Sequence, residues 1–169
     1  FYNVGTIDLT GVINGIDPIE ENRLFMFSDY VTRGNYLDLK NIPNSIILGK
    51  GVADKMAANI GDVVQVTTSK GERMQLKVVG IFQSGLQDLD KVQSYCSINT
   101  TQKLLGVSNN YITDIQVKLK DILQAPAMAK EYQRYYETDA IDIQQANSQF
   151  ETGSSVRSII SYAVGVTLL

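Results

Sequence analysis

The apolar positions of this chain change period several times, and each change marks an element. Ile46-Ile47-Leu48 is a run of the length of a short buried strand. After Gly49-Lys50-Gly51, the residues Val52, Ala53, Met56, Ala57 and Ile60 recur at three- and four-residue spacing, with Asp54, Lys55 and Asn59 outside that stripe. This spacing lines one face of a helix, and Gly61 stands where a left-handed residue would end it. From Asp62 the period becomes two. Val63 to Thr68 reads as a strand, Ser69-Lys70-Gly71-Glu72 as a hairpin turn, and Met74 to Phe82 as the return strand. Met74, Leu76, Val78 and Phe82 are expected on one face of it. The other face passes from Gln75 and Lys77 to Val79 and Ile81, so the strand runs from an exposed edge into a core.

The flanks read less regularly. Phe1 to Ile16, rich in Thr, Val, Ile and Gly, predicts two short strands turning near Gly5 and closing in Gly15-Ile16-Asp17-Pro18. Glu20 to Tyr30 holds one or two helical turns. The polar stretch with Gly34, Asn35, Asn41, Pro43 and Asn44 reads as a boundary. A loop with Gly85, Asp88 and Asp90 leads to a strand over Ser94 to Ile98. Asn99 and Gln102 have capping-box spacing for a short helix ended by Gly106. Ile112 to Leu119 alternates, and Thr113, Ile115, Val117 and Leu119 form the set expected inward. Pro126 suits the first turn of a helix with Ala125, Met128, Ala129, Tyr132 and Tyr136 on its apolar face. Ile141-Asp142-Ile143 predicts a last short strand. Strands outnumber helices, and the whole reads as an α+β chain of two subdomains.

The final residues have no period at all. Ser158 to Leu169 carries no charge and no polar face, and the sequence stops inside the run. Twelve residues fall short of the roughly 20 that cross a bilayer. Arg157 stands just before them, where a long cationic side chain reaches headgroup level. The run reads as the start of a transmembrane helix, with Ile159, Ile160, Tyr162, Val164, Val166, Leu168 and Leu169 embedded. A buried carboxy-terminal helix of a soluble domain is the competing reading. Phe1-Tyr2-Asn3-Val4-Gly5 reads like the inside of a strand and not like an initiator Met with a signal peptide, so both ends read as cuts in a longer protein.

Composition narrows the chemistry. With 169 residues and 44% hydrophobic content the chain can fill a core of one ordinary domain or two small ones. Fifteen basic and 18 acidic residues give a net charge of -3, and no basic block is present, which argues against nucleic acid as a partner. There is no His, the commonest general base and metal ligand. Cys96 is the single cysteine, so no internal disulfide forms, and its Ser-Tyr-Cys-Ser-Ile setting reads as a buried strand position without a base to activate the thiol. The serines lack a Gly-x-Ser-x-Gly elbow. Gly49-Lys50-Gly51 between strand and helix has the setting of a phosphate-binding turn, but Asp54 occupies the third small position and no Walker Ser/Thr follows Lys50. A tight strand-to-helix turn explains it better. Asp88 and Asp90 are too few oxygen donors for a Ca²⁺ loop. No catalytic, metal or cofactor-binding residue is assigned.

Several segments, taken in order, resemble the extracytoplasmic domain of ABC-transporter permeases of the lipoprotein-releasing LolC/LolE type, within the wider MacB/FtsX-like superfamily. They are Gly11-Val12-Ile13-Asn14-Gly15-Ile16-Asp17-Pro18, Ile47-Leu48-Gly49-Lys50-Gly51-Val52-Ala53 through Ile60-Gly61-Asp62, and Lys77-Val78-Val79-Gly80-Ile81-Phe82 with Ser84-Gly85. Leu119-Lys120-Asp121 with Gln124-Ala125-Pro126, then Gln145-Ala146-Asn147 to Phe150 and the Ser154-to-Leu169 stretch, continue the match. The resemblance implies a MacB-like periplasmic core domain between the first and second of four transmembrane helices. Its porter-like βαβ subdomain would comprise 1–36 and 107–150, and a β-rich sabre-like subdomain would comprise 37–106. Residues 156–169 would begin the second transmembrane helix. It further implies a non-catalytic permease segment in the bacterial inner membrane, mainly periplasmic, with no cofactor. Its partners would be an ABC ATPase subunit, a second permease subunit and lipoprotein cargo. Efflux or FtsX-like signalling on the same fold is the alternative, and a soluble nucleotide-binding enzyme the more distant one. Two departures stand out. By the resemblance, the opening strand and helix of the porter half, with the first transmembrane helix, would precede Phe1 in the longer protein. The candidate sabre hairpin, Ser69-Lys70-Gly71-Glu72, lacks the proline of LolC's chaperone-recruiting hook.

Overall fold

The computed structural model describes residues 1–4 and 7–145. It divides into two compact units, Phe1–Thr113 and Asp114–Leu169. The terminal run from Ser158 to Leu169 lies outside the described residues. Among the described residues no helix is long and apolar enough to cross a membrane.

The first unit is built on one mixed sheet of eight strands. They are β1 (Tyr2–Val4), β2 (Ile7–Leu9), β3 (Val12–Ile16), β4 (Val31–Gly34), β5 (Ser45–Gly49), β6 (Val63–Thr67), β7 (Arg73–Phe82) and β8 (Gln93–Ser97). The order is β2-β1-β6-β7-β5-β8-β3, with β4 also paired to β7. The ten-residue β7 is the spine. Its first half pairs antiparallel with β6 through the hairpin, its second half with β4, and its other side runs parallel to β5. All five residues of β5 are buried, as the unbroken Ile46-Ile47-Leu48 run requires of a strand covered on both faces. Pairing of β1 with β6 and of β3 with β8 places residues 2–16 in the same sheet as 45–97. The compact division falls at Thr113/Asp114.

One irregularity re-aims the spine. Ile46 pairs with Val78 but Ile47 pairs with Gly80, so β7 carries an extra residue between them. A bulge reverses the side-chain alternation beyond it. Leu76, Val78 and Ile81 therefore share a core with Ile46, Leu48, Val52, Met56 and Cys96. Phe82, expected beside Val78, is sent to the opposite face. There it stacks with Phe27 at 5.6 Å and meets Tyr95 at 4.8 Å between ring centroids.

The helices are short and locally specified. In α1 (Pro18–Phe25), Asp17 caps the backbone N–H groups of Ile19 and Glu20, with Pro18 in the first turn. A 3₁₀ turn, Phe27–Tyr30, delivers Phe27 to the aromatic cluster, and the polar stretch expected as a boundary forms α2 (Asp38–Asn41), which buries Leu39. Helix α3 (Lys50–Met56) stops at a left-handed Ala57, four residues before Gly61, so Ile60 leaves the expected stripe and is exposed. A turn, α4 (Gln87–Asp90), precedes β8. Helix α5 (Ile98–Leu105) is capped by Ser97 and not Asn99, because β8 runs straight into it, and Gly106 ends it as expected.

In the second unit the expected helix is present as α6 (Ala125–Tyr136), preceded by a 3₁₀ turn capped by Asp121. Ala125, Met128, Ala129 and Tyr132 are half-buried, which follows the periodicity, but Tyr136 is exposed. The expected strands at 112–119 and 141–143 are absent. A strand persists only in a ladder, and no strand lies among the described residues of this unit to supply one. Ile115, assigned to the inward set, is 85% exposed.

Candidate functional site

The turn from β5 to α3 was the most suggestive chemistry in the sequence. A Cβ on Gly49 would stand 2.5 Å from the carbonyl oxygens of both Asp90 and Gln93. One on Gly51 would stand 2.7 Å from Cγ of Lys91. The two glycines admit the backbone of the 90–93 segment, which occupies the space a pyrophosphate would need. Lys50 is turned onto its own helix, where its ammonium pairs with the Asp54 carboxylate across one turn. The short, filled turn leaves no phosphate cradle.

The acidic pair separates. Asp88 is exposed, whereas Asp90 is buried and its Oδ1 accepts hydrogen bonds from the backbone N–H and the hydroxyl of Ser84, both at 2.8 Å. Asp90 thus closes the loop that packs on Gly49. Among the described residues no three His, Cys, Asp or Glu side chains gather to hold a metal. Cys96 is fully buried, and burial pushes its thiol far above the ordinary range, away from thiolate chemistry. Tyr2 lies in the same core. Its hydroxyl donates to the carbonyl of Val12 at 3.2 Å, and burial pushes its pKa up against the opposing hydroxyl of Ser94. Gly11 gives the Tyr2 ring room that any Cβ would fill.

Three surfaces remain. An open cleft of about 220 Å³ is lined by Arg33, Lys50, Asp54, Asn59, Ile81, Ala53 of α3, and Ala57 and Ala58 just beyond it. It contains one acid, two bases and no nucleophile. The hairpin tip beyond β6 and β7 is closed by Thr68 and Glu72 backbone bonding, with Gly71 at a φ of +87°. Near the exit from the first unit, the buried Gln102 donates from Nε2 to the carbonyls of Asn109 at 3.0 Å and Tyr111 at 2.9 Å. That amide fixes the path by which the chain leaves the sheet. Tyr2 had no local signal, and the capping-box spacing of Gln102 pointed to a different role from the one it has. Both act on partners seven or more residues away, which no spacing rule registers.

Comparison with known proteins gives the family. The family model described as MacB-like periplasmic core domain matches residues 2–135, from β1 to the last turn of α6. The chain belongs to that family. Among curated relatives, the lipoprotein-releasing system transmembrane protein LolC of Neisseria meningitidis serogroup B is 28% identical over 131 residues, covering 72% of this chain and 31% of the relative. LolC of Xylella fastidiosa strain 9a5c is 26% identical over 129 residues, covering 71% of this chain and 31% of the relative. The chain thus spans about a third of the length of the curated relatives it matches. The resemblance read from the ordered segments is correct. Four of those segments lie at β3, the β5–α3 turn, the end of β7 and the start of α6, and the stretch from Ala146 onward lies outside the described residues.

Proposed function

We propose that this MacB-like core domain is the periplasmic part of a LolC-type ABC transporter permease of the bacterial inner membrane. It couples ATP hydrolysis by a separate cytoplasmic subunit or domain to the release of lipoproteins, alongside a second permease subunit. The domain itself performs no chemistry. The observation that carries this reading is the family match over residues 2–135 together with relatives named as LolC. The filled Gly49-Lys50-Gly51 turn supports a mechanical role over a nucleotide-binding one. In this reading 1–36 and 107–150 make the porter-like subdomain and 37–106 the sabre-like one. Residues 156–169 begin the second transmembrane helix, embedding Ile159, Ile160, Tyr162, Val164, Val166, Leu168 and Leu169.

A second reading is favoured by one observation, the short hairpin Ser69-Lys70-Gly71-Glu72 without proline. It keeps the permease but replaces lipoprotein release by MacB-like efflux or FtsX-like signalling. Depletion of the full-length protein separates them. Lipoprotein release predicts mature lipoproteins retained in the inner membrane and crosslinked to the domain in normal cells. Unchanged lipoprotein sorting, with a defect in efflux or cell-wall turnover, overturns it.

A further inference from the structure

We propose that Gln102 is a coupling residue of this domain. Its side-chain amide clasps the chain at Tyr111, so that movement of the segment that follows reaches the sheet and is not absorbed by the exit turn. The proposal rests on the permease reading above, since the movement it carries is that of a membrane segment driven by ATP hydrolysis. The exit turn itself is built from local bonds. Gly106 ends α5 in the left-handed region, Val107 donates to the carbonyl of Gln102 at 3.0 Å, and Tyr111 donates to that of Ser108 at 3.0 Å. Asn109, Asn110 and Tyr111 are exposed, so water competes for the outer bond and the turn alone would open under load.

The Gln102 side chain changes that. Its Nε2 has two hydrogens, and they meet two carbonyls of the departing chain, Asn109 at 3.0 Å and Tyr111 at 2.9 Å. The residue is only 5% exposed, so the donor is sheltered from water. Peeling the turn outward must break both bonds and leave a buried amide without acceptors. The helix behind the clasp is held on the sheet. Leu104 is buried in the core that contains Cys96 of β8. Thr101 lies against β3, where a Cβ on Gly15 would stand 2.7 Å from its Oγ1. That hydroxyl also donates to the carbonyl of Ser97 at 3.2 Å, and Ser97 caps the helix through the N–H of Thr100. β3 and β8 are themselves paired along five residues. The route from Tyr111 to the sheet therefore passes through one side chain on an anchored helix. All of these contacts lie within Phe1–Thr113.

The test uses the full-length protein in membranes with the ATPase and second permease of the proposed assembly. Gln102→Met keeps the length of the side chain and removes both donors, and Gln102→Ala removes the side chain as well. Amide exchange at Val107 and Tyr111 is followed with and without ATP, and lipoprotein released per ATP hydrolysed is measured. The wild type should keep both amides protected during turnover. In Gln102→Met their exchange should rise by roughly tenfold when ATP is added. Release per ATP should fall while the ATPase rate holds, and Gln102→Ala should show the same pattern more strongly. Exchange that ATP does not alter, release per ATP equal to the wild type, or an ATPase rate that falls in step with release overturns the proposal. A wild type that releases no lipoprotein would end the lipoprotein reading alone. ATP-dependent opening confined to the Gln102 variants would still support the clasp, and its absence would still overturn it.

Discussion

The two units of this chain share similar sequence signals and opposite outcomes. In the first, alternating and helical apolar patterns end in a buried core, with Ile46, Ile47, Leu48, Val64, Leu76 and Val78 all inaccessible to solvent. In the second, the equally regular alternation of residues 112–119 ends in the open, with Ile115 at 85% and Val117 at 53% exposure. Periodicity reports which side chains would share a face. Burial needs a neighbouring layer, and within the first unit β7 supplies one to β6, β4 and β5 together.

The comparison is broken most severely at β5. Leu48→Ala should cost the first unit about 3–4 kcal/mol in urea unfolding, whereas Leu123→Ala in the second should stay within about 0.5 kcal/mol. Comparable losses at the two sites would end the distinction. Gly49→Ala comes next, because its new methyl meets two carbonyl oxygens at 2.5 Å, and a loss of about 2–3 kcal/mol is expected. A neutral effect there would reopen the turn as a usable cradle. Gln102→Ala should cost about 1–2 kcal/mol and loosen the chain at Asn109 and Tyr111, read as faster amide exchange confined to the exit segment.

A smaller effect is set by alkali. Burial raises the Cys96 thiol and the Tyr2 phenol in the folded protein only. The unfolded chain therefore loses protons first, and stability is full below the unfolded pKa and falls as pH rises above it. The decline should begin near pH 9.0, the reference value for the thiol, and steepen past 10.0, that for the phenol. Cys96→Ala should flatten the first part of the decline and leave the second. Smallest of all, Lys50→Ala should change stability by less than about 0.5 kcal/mol, since its ion pair with Asp54 is exposed.

Much of the first unit was legible in advance. The β6–β7 hairpin, the buried β5, the helix after Gly51 and the helix ended by Gly106 follow from period, turn residues and caps. What escaped has physical causes. The bulge at Val79 depends on pairing with β5, so Phe82 was assigned to the wrong face. Strand β4 was hidden in a polar stretch because its ladder partner lies almost fifty residues away. The strands expected at 112–119 and 141–143 carried the right pattern but found no ladder among the described residues. The family resemblance needed no such partners. It rested on turn-forming segments such as Gly11 to Pro18 and the Gly49 turn, whose local geometry the sequence determines directly.

The central claim is that this domain stands in the periplasm on a membrane-embedded permease. It is tested by placing single cysteines at Lys70, on the hairpin tip, and at Val164, in the terminal apolar run, of the full-length protein. The buried Cys96 provides a silent background. A membrane-impermeant maleimide added to intact spheroplasts should label Lys70→Cys and spare Val164→Cys. Labelling of Lys70→Cys only after the membrane is broken, or equal labelling of both positions, would contradict the account.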